Sequence, residues 1–445
     1  MAFRPSARRL GAAAFVAAAA AAAACSSDRD VRGLTVPTAV NAPFMVRYVA
    51  LGNSITAGYQ SGGINDSTQL RAFPVLLAAA AGVGGQFTAP LIAKPGCPAP
   101  ILNGLTAVRI TGDTASACTV RSGATDLLNN VAVPGANSFD PTGAASVTVG
   151  TGGAAVTYAG GYSTLTRLIL GNLTQVQKAI QANPTFATVW IGNNDVLGAA
   201  LQGRAAVGPG DTTAATPLAT FRANYAAMIN QLRAGSPELQ RGILVGVVDV
   251  SNTPILIPVV NFIPTGQPSA RDSAFGAVRS LFGVGTTRAA TFQINFDASC
   301  VNSTAAIPFP ALAALARAVP ANATSYTFNC ATGSSAANPI VTAAERAVFV
   351  ARVAAYNAYI RAKADSIGFL YYDPNARLLA YRTSGAVLPF PNLAAPTRPY
   401  GALISNDGVH PGNAVHAQLA KDLRDSINAR YGANLADISV TNVAP

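Results

Sequence analysis

The sequence predicts a single α/β domain built around a mostly parallel sheet. Two observations support this fold class. Short, nearly continuous apolar runs recur along the chain, as expected of strands that are covered on both faces, at residues 45–51, 127–133, 187–191, 242–250 and 368–372. Amphipathic helical patterns lie between these runs, and such alternation of strands and helices is typical of parallel α/β sheets.

Four helices are predicted from capping residues and apolar stripes. Thr216–Pro217 forms a cap and first turn, Thr342 and Glu345 form a capping box, and Pro411 opens the last helix. The predicted buried stripes are Leu165, Leu168, Leu173, Val176 and Ile180 in the first helix, Leu218, Phe221, Tyr225, Ile229 and Leu232 in the second, Val353 and Ile360 in the third, and Val415, Leu419, Leu423 and Ile427 in the fourth.

Two long stretches, at about 83–125 and 251–341, interrupt the domain that we expect over 45–430, before a tail at 431–445. Loops of this length are uncommon in compact domains, so both are predicted to be insertions with minor structure of their own. The second follows the C-terminal end of a strand, which is the edge where open parallel sheets bind ligands. Its apolar segment 254–263 either walls an acyl pocket or packs the insertion onto the domain.

The composition excludes several classes of function. Half of the 445 residues are apolar and 11% are charged, which is typical of a globular domain and not of a disordered chain. The formal net charge is +11, but the Lys and Arg residues are scattered and form no dense run. Because nucleic-acid binding needs clustered basic residues, no nucleic-acid partner is predicted.

The N-terminus is typical of an export signal. Three arginines precede an alanine-rich apolar run that stops at Cys25 and is too short for a comfortable membrane span. The stretch AAAC followed by SSDRD resembles a bacterial lipobox, and Ser26 resembles an outer-membrane sorting signal. We therefore expect a signal peptide over 1–24, a lipidated Cys25 with a tether over 25–44, and membrane anchoring as an outer-membrane lipoprotein. The alternative is an ordinary signal peptide cleaved near Ala24, which would give a periplasmic or secreted protein.

The remaining cysteines form an even set, with one pair in each long insertion. They are Cys97, Cys118, Cys300 and Cys330. In an oxidising compartment we expect disulfides 97–118 and 300–330, although four cysteines allow three connectivities. The sequence has no C-x-x-C and no cysteine beside a histidine, so redox or cysteine-nucleophile chemistry is not predicted.

Few residues can carry metal or cofactor chemistry. His410 and His416 are the only histidines, so a metal site built on several histidines is excluded and no metal is predicted. The motifs G-x-x-x-x-G-K-[ST], G-x-G-x-x-G after a strand, and G-x-S-x-G are absent from the sequence, and no organic cofactor is expected. His416 falls inside the last predicted helix and is predicted, like Trp190, to be a core residue.

One combination of residues suits acyl transfer. In the segment NDGVHPG, Asp407 precedes His410 by three residues, a spacing that lets the carboxylate fold back onto the imidazole and hold its tautomer. The imidazole then needs a hydroxyl to deprotonate, and Ser54 leaves the C-terminal end of the first predicted strand. The backbone N–H of Gly135, in VAVPGANS, and the side-chain amide of Asn194, in VWIGNNDV, are candidate oxyanion donors.

Four short blocks resemble those of the SGNH (GDSL-type) hydrolase family. They are LGNSITAG, VAVPGANS, IGNND and DGVHPG, in this order. The resemblance implies a three-layer α/β/α sandwich with a five-stranded parallel sheet. The roles that it implies are Ser54 as nucleophile and first oxyanion donor, Gly135 and Asn194 as further oxyanion donors, His410 as general base and then acid, and Asp407 as the partner that orients His410.

Simpler interpretations of these residues remain open. Ser54 and Asn194 as helix caps, and Gly135 as an ordinary turn glycine, are the alternatives. The family usually has aspartate before the serine, whereas this chain has Asn53. Because the side chain at this position is not catalytic in the family pattern, we expect the chemistry to survive.

The function predicted from the sequence is that of an exported serine ester hydrolase that works through an acyl-enzyme intermediate. Lipid or short-chain acyl esters are the favoured substrates, and carbohydrate O-acetyl esters are the alternative within the same chemistry. A surface-anchored binding lipoprotein that keeps the fold without turnover is an alternative of another class. The sequence does not fix the oligomeric state.

Overall fold

The computed structural model describes residues 42–116, 127–143, 147–149, 156–158, 163, 165–201, 215–333, 335 and 337–440. The predicted signal peptide over 1–24, the predicted lipidation site Cys25, most of the predicted tether, and Cys118 lie outside these residues. The predictions made for them stay predictions.

The strands of the described residues form a central sheet and several short pairs. They are β1 (Tyr48–Gly52), β2 (Ile101–Asn103), β3 (Val108–Arg109), β4 (Val147–Val149), β5 (Val156–Tyr158), β6 (Phe186–Trp190), β7 (Arg241–Val245), β8 (Leu256–Pro258), β9 (Gln293–Phe296), β10 (Ala306–Pro308), β11 (Ser325–Phe328) and β12 (Leu370–Tyr372). The central sheet has the order β1–β6–β7–β12, and all its pairings are parallel. Every residue of β1 and β6 is buried, which explains their continuous apolar sequences.

The predicted strand over 127–133 is an irregular segment beside β1. Within it, only Asn130 forms a bridge, which is parallel and pairs it with Ala50. Tyr48 lies two residues before Ala50 in β1, and its carbonyl accepts a hydrogen bond from the side-chain amide of Asn129 at 2.8 Å. Backbone hydrogen bonds still join the segment to β1, since Ala50 N donates to Asn129 O at 2.8 Å, Val131 N to Ala50 O at 3.0 Å and Val133 N to Gly52 O at 3.1 Å. The described sheet therefore has four regular strands where five were predicted, with this segment hydrogen-bonded in the place of the fifth.

The helices cover both faces of this sheet. They are α1 (Ser54–Ala57), α2 (Asp66–Gln69), α3 (Phe73–Ala80), α4 (Thr166–Leu170), α5 (Gln175–Gln181), α6 (Asn194–Leu201), α7 (Leu218–Ala234), α8 (Ala270–Leu281), α9 (Phe309–Ala318), α10 (Ala343–Ile367), α11 (Asn375–Thr383) and α12 (Asn413–Tyr431), with short 3-10 turns at Pro43–Met45, Val250–Asn252, Val259–Phe262 and Ala298–Cys300. Helices α5, α7 and α10 pack together in one layer, and α3 packs with α12 in the other. The fold is the predicted α/β sandwich.

The predicted helix boundaries hold with small changes. Thr342 and Glu345 form the predicted capping box of α10. Pro217 precedes α7, but no side-chain cap bond is made there. The stripe predicted as one helix over residues 165–180 is split into α4 and α5, because Gly171 adopts a φ of 64° and ends α4.

The second insertion has a small aromatic core and a disulfide. The rings of Phe296 and Phe328 stack with centroids 5.4 Å apart, and Phe262 meets Phe328 edge-on at 5.5 Å. Around them, β8 pairs with β10 and β9 pairs with β11. The predicted Cys300–Cys330 disulfide is confirmed. Cys97 is also disulfide-bonded, and its predicted partner lies outside the described residues.

The apolar segment 254–263 packs the insertion onto the domain. Ile255, Ile257 and Phe262 are buried, and Ile255 N donates a hydrogen bond to Gly408 O at 3.1 Å. The three cavities at or next to Ser54 that are described below are lined by other residues. Of the two interpretations, packing is therefore supported and an acyl-pocket wall is not.

Loss of the Cys300–Cys330 disulfide is expected to destabilise the protein. The bridge joins residues 30 positions apart, so opening it restores the freedom of that loop in the unfolded chain. We expect the Cys300→Ser/Cys330→Ser variant to lower the free energy of unfolding by about 3 kcal/mol. Urea denaturation followed by circular dichroism measures this change. A variant as stable as the wild type would show that packing alone fixes the insertion.

Both ends of the described chain pack on the domain. Phe44, placed in the tether by the sequence, lies with its ring centroid 5.5 Å from that of Tyr431. In the predicted tail, Leu435 is buried and Ala436 N donates to Ala80 O at 2.9 Å. The domain thus begins before residue 45 and continues past residue 430.

Among the described residues, no helix has the length and apolarity that crossing a membrane requires.

Candidate active site

Ser54 lies at the C-terminal edge of the central sheet, directly after β1. Gly52 ends the strand, and a Cβ at this position would lie 2.2 Å from Thr56 Oγ1, so the tight turn into α1 requires glycine. Asn53 caps α1, because its Oδ1 accepts a hydrogen bond from Ile55 N at 3.2 Å. The helix-cap alternative for Ser54 is therefore not supported, and its hydroxyl has another partner.

That partner is His410, from the other end of the chain. His410 Nε2 lies 2.8 Å from Ser54 Oγ, and His410 Nδ1 lies 2.8 Å from Asp407 Oδ2. The loops that carry these residues are also bonded to each other, since Ser61 N donates to Ser405 Oγ at 2.9 Å. The structure thus brings together the three residues that the sequence analysis selected for the nucleophile, the base and its orienting acid.

Asp407 accepts five hydrogen bonds. Besides His410 Nδ1, the donors are the backbone N–H groups of Gly62 at 2.6 Å, Val409 at 2.9 Å and His410 at 2.9 Å, and the Ser405 hydroxyl at 3.1 Å. Burial by itself would raise the pKa of the Asp407 carboxyl, but the adjacent His410 and these hydrogen bonds outweigh burial and hold the pKa well below its ordinary value. An ionised carboxylate only accepts hydrogen bonds, so Nδ1 of His410 carries the proton and Nε2 presents its lone pair to Ser54.

Gly135 and Asn194 border the same cavity as Ser54 and His410. We call this space the serine cavity; its lining includes Ser54, Tyr59, Gly135, Ser163, Asn194 and His410. Gly135 has a φ of 90°, a conformation that favours glycine. Asn194 is the first residue of α6, and its amide donates to Ala136 O at 2.8 Å. Asn194 lies inside α6 as its first residue and not at the flanking cap position, so the cap alternative for Asn194 is not supported.

Two buried carboxyl groups that the sequence analysis did not select hold the loop that carries Gly135. Asp195 accepts hydrogen bonds from Ser138 N at 2.8 Å and from Ser138 Oγ at 2.7 Å. Asp140 accepts from Asn137 N at 2.8 Å. Burial raises the pKa of Asp195 to about 6, and burial together with the nearby Asp195 raises the pKa of Asp140 to about 7. No sequence signal marks Asp140, whereas Asp195 was visible only as the last residue of the IGNND block.

The substitution Asp140→Asn is expected to stabilise the protein in mild alkali. Because the folded-state pKa of Asp140 is about 7, above the ordinary 3.8, the folded protein binds this proton more tightly than the unfolded chain does. Stability from this group is therefore lost as the pH rises from about 4 to 7. Asparagine keeps an acceptor for Asn137 N–H without the charge. We expect the variant to gain about 2 kcal/mol in free energy of unfolding at pH 8 and nothing at pH 4, measured by urea denaturation. A gain independent of pH would contradict this assignment.

Tyr59 is a neighbour of the site that the sequence analysis missed. Its ring lies beside the His410 imidazole, with centroids 5.1 Å apart, and borders the serine cavity. Burial, with a smaller effect of Asp407, raises the pKa of Tyr59 to about 12, so the phenol is neutral. Contact with a histidine from the far end of the chain leaves no local sequence pattern, which is why it was not found.

His416 and Trp190 are core residues, as predicted. His416 is fully buried in α12, where its Nδ1 accepts a hydrogen bond from Phe73 N at 3.3 Å. Burial lowers the pKa of His416 to about 3, so it carries no charge at neutral pH. Trp190 ends β6 and meets the Phe73 ring edge-on, with centroids 5.7 Å apart. It also borders an apolar cavity that is described below.

A protein-family model matches this chain over most of its length. Residues 48–423 match the family model described as GDSL-like Lipase/Acylhydrolase, and this span contains Ser54, Gly135, Asn194, Asp407 and His410. Among solved structures, an extracellular lipase from Streptomyces rimosus is 15% identical, with 85% of this chain and 98% of that chain covered and a TM-score of 0.30. No curated protein sequence matches the chain.

Proposed function

Because the chain belongs to the GDSL-like lipase/acylhydrolase family, it is a hydrolase that acts on esters, and we propose that it cleaves carboxylic esters with Ser54 as the nucleophile. The observation that carries the proposal is the hydrogen-bonded series from Ser54 Oγ through His410 to Asp407, with both links 2.8 Å long. A base within hydrogen-bond reach of a hydroxyl, itself oriented by a third group, is the arrangement that activates a serine.

In the proposed reaction, Ser54 Oγ attacks the ester carbonyl carbon while His410 Nε2 takes the hydroxyl proton. The tetrahedral intermediate collapses by breaking the bond to the alcohol oxygen, which receives that proton from His410. Water then attacks the acyl-serine with His410 as base, the carboxylic acid leaves, and Ser54 regains its proton. Asp407 remains ionised throughout and stabilises the imidazolium that forms in each step.

Three hydrogen-bond donors are proposed to stabilise the oxyanion. They are the backbone N–H groups of Ser54 and Gly135 and the side-chain amide of Asn194. All three residues border the serine cavity, and the hydrogen bond from Asn194 to Ala136 O ties the amide to the Gly135 loop. Donors fixed before the reaction stabilise developing charge without reorganisation, which favours the transition state over the bound ester.

Labelling with a fluorophosphonate tests the proposal. An activated serine attacks this reagent and keeps the phosphonyl group, so we expect the wild type to be modified once, at Ser54, as read by intact and peptide mass spectrometry. Ser54→Ala should not react, whereas Ser67→Ala, which removes a partly buried serine bonded to Asp66, should react like the wild type. A wild type that stays unmodified would refute the proposal and favour a surface-anchored binding lipoprotein.

Within this chemistry, we favour lipid or short acyl esters over carbohydrate acetyl esters. An apolar cavity beside Ser54 supports this preference and is argued below. The N-terminal sequence supports the further proposal that the enzyme is exported and anchored to a membrane through lipidated Cys25.

A further inference from the structure

An apolar cavity lies between α11 and α12, next to the candidate active site. Its free volume is about 80 Å³, and it is open to solvent. Its wall is formed mainly by aliphatic and aromatic side chains from five parts of the chain, including Ile55, Trp190, Leu378, Val409, Val415 and Leu419.

A smaller cavity adjoins both this space and the site. Its lining includes Ser54, Asn194 and His410, and it shares four residues with the apolar cavity, namely Ile55, Val248, Thr253 and Val409. Ile55 directly follows Ser54 in the chain, and Val409 directly precedes His410. The apolar cavity therefore begins one residue away from the proposed nucleophile and from its base.

The charged group in the cavity wall already has a partner. Arg377 donates to Asp422 through Nε at 3.0 Å and through Nη2 at 2.6 Å, and Tyr372 OH donates to the same carboxylate at 2.8 Å. An occupant thus meets no unpaired charge on this wall, and a polar occupant would lose its hydration without compensation. The chemistry of the cavity fits a neutral hydrocarbon chain.

The space on the other side of Ser54 differs in character. The serine cavity is lined by Tyr59, Ser163 and Asn194 among others, and so presents hydroxyl and amide groups. Ser54 and His410 border the serine cavity and the smaller cavity, and the smaller cavity adjoins the apolar cavity, which places the reacting carbonyl between a more polar side and an apolar side.

We propose that the apolar cavity binds the acyl chain of a medium-chain ester, and that the serine cavity receives the alcohol. This proposal rests on the proposed function, because it assigns the two halves of the substrate around Ser54. Each methylene that leaves water in the cavity contributes up to about fourfold to kcat/KM, provided the contact is kept in the transition state. We expect kcat/KM to rise at least tenfold from acetate to octanoate.

Filling the cavity tests the assignment. Leu378 lines the cavity, whereas the next residue of α11, Leu379, is 55% exposed and does not. We expect Leu378→Trp to lower the ratio of kcat/KM for p-nitrophenyl octanoate over p-nitrophenyl acetate at least tenfold, and the matched control Leu379→Trp to keep the wild-type ratio. Val415→Phe narrows the cavity from α12 and should lower the same ratio, which covers the case in which Leu378→Trp does not fold.

Three results would overturn the proposal. The first is a wild type that prefers p-nitrophenyl acetate to the octanoate. The second is an octanoate-to-acetate ratio of kcat/KM that both cavity variants leave unchanged. The third is that the cavity variants lower only the ratio of kcat/KM for octyl acetate over ethyl acetate, measured by acid release. These outcomes are separable from failure of the proposed function. If the wild type reacts with fluorophosphonate and cleaves acetate without chain-length dependence, the cavity assignment alone fails.

Discussion

Replacing His410 with alanine is expected to lower kcat/KM for p-nitrophenyl esters by about 10⁴-fold or more. The imidazole is the group within reach of the Ser54 hydroxyl, with Nε2 2.8 Å from Oγ. Without it the hydroxyl keeps its proton and remains a weak nucleophile. The loss should lie in kcat, with KM little changed, because the apolar and serine cavities keep the groups that bind substrate.

The double variant Ser54→Ala/His410→Ala tests whether these two residues act together in one step. Residues that act as a unit are strongly non-additive, so the double variant should be no slower than either single variant. Circular dichroism and melting temperature serve as folding controls. A His410→Ala variant that is folded and within tenfold of wild-type activity would refute the role of His410. Multiplicative losses would show that the two residues act independently.

Replacing Asp407 with asparagine is expected to lower kcat by about 10³- to 10⁴-fold. The carboxylate accepts His410 Nδ1–H and so leaves Nε2 free to accept from Ser54. An asparagine amide that donates towards Nδ1 favours the other tautomer, in which Nε2 carries the proton and is no base. The defect is therefore one of protonation, and the ring can stay in place.

Asp407→Asn should also carry a pH-dependent loss of stability. The pKa of Asp407 is lower in the folded protein than in the unfolded chain, so its carboxylate stabilises the fold above the ordinary pKa of 3.8 and this contribution disappears as the pH falls through the folded-state pKa. Urea denaturation should show a variant less stable than the wild type at pH 7, with a difference that shrinks below pH 4. Full activity in a folded Asp407→Asn protein would contradict the proposed mechanism.

The grouping of the candidate site residues was predictable because each follows a strand or precedes the last helix. Ser54 leaves β1 and Asn194 follows β6, and these strands are parallel neighbours whose C-terminal ends share one edge. Asp407 and His410 are three positions apart, so their contact depends on one loop. The order of strands and helices in the sequence therefore predicts which edge of the sheet carries these residues, whereas the distances and hydrogen-bond partners follow only from the coordinates.

What the sequence did not reveal depends on contacts between distant segments. The segment beside β1 keeps backbone hydrogen bonds to Ala50 and Gly52. Asn129, however, bonds to Tyr48 O through its side chain and to Thr88 O through its backbone N–H, and an apolar run cannot signal this change of partner. The apolar run near Phe262 is used in an aromatic cluster of the insertion, so its hydrophobicity did not indicate a ligand wall. The acyl cavity that we propose is instead lined by residues scattered from Ile55 to Leu419, which no local pattern groups.

The separation of Ser54 and His410 has a consequence for the newly made protein. These residues stand 356 positions apart, and the bond from Ser61 to Ser405 that joins their loops spans 344. A nascent chain exposes the serine early, but its base is synthesised only 356 residues later. On the proposed mechanism, polypeptides that stop short of His410 are therefore inert towards esters.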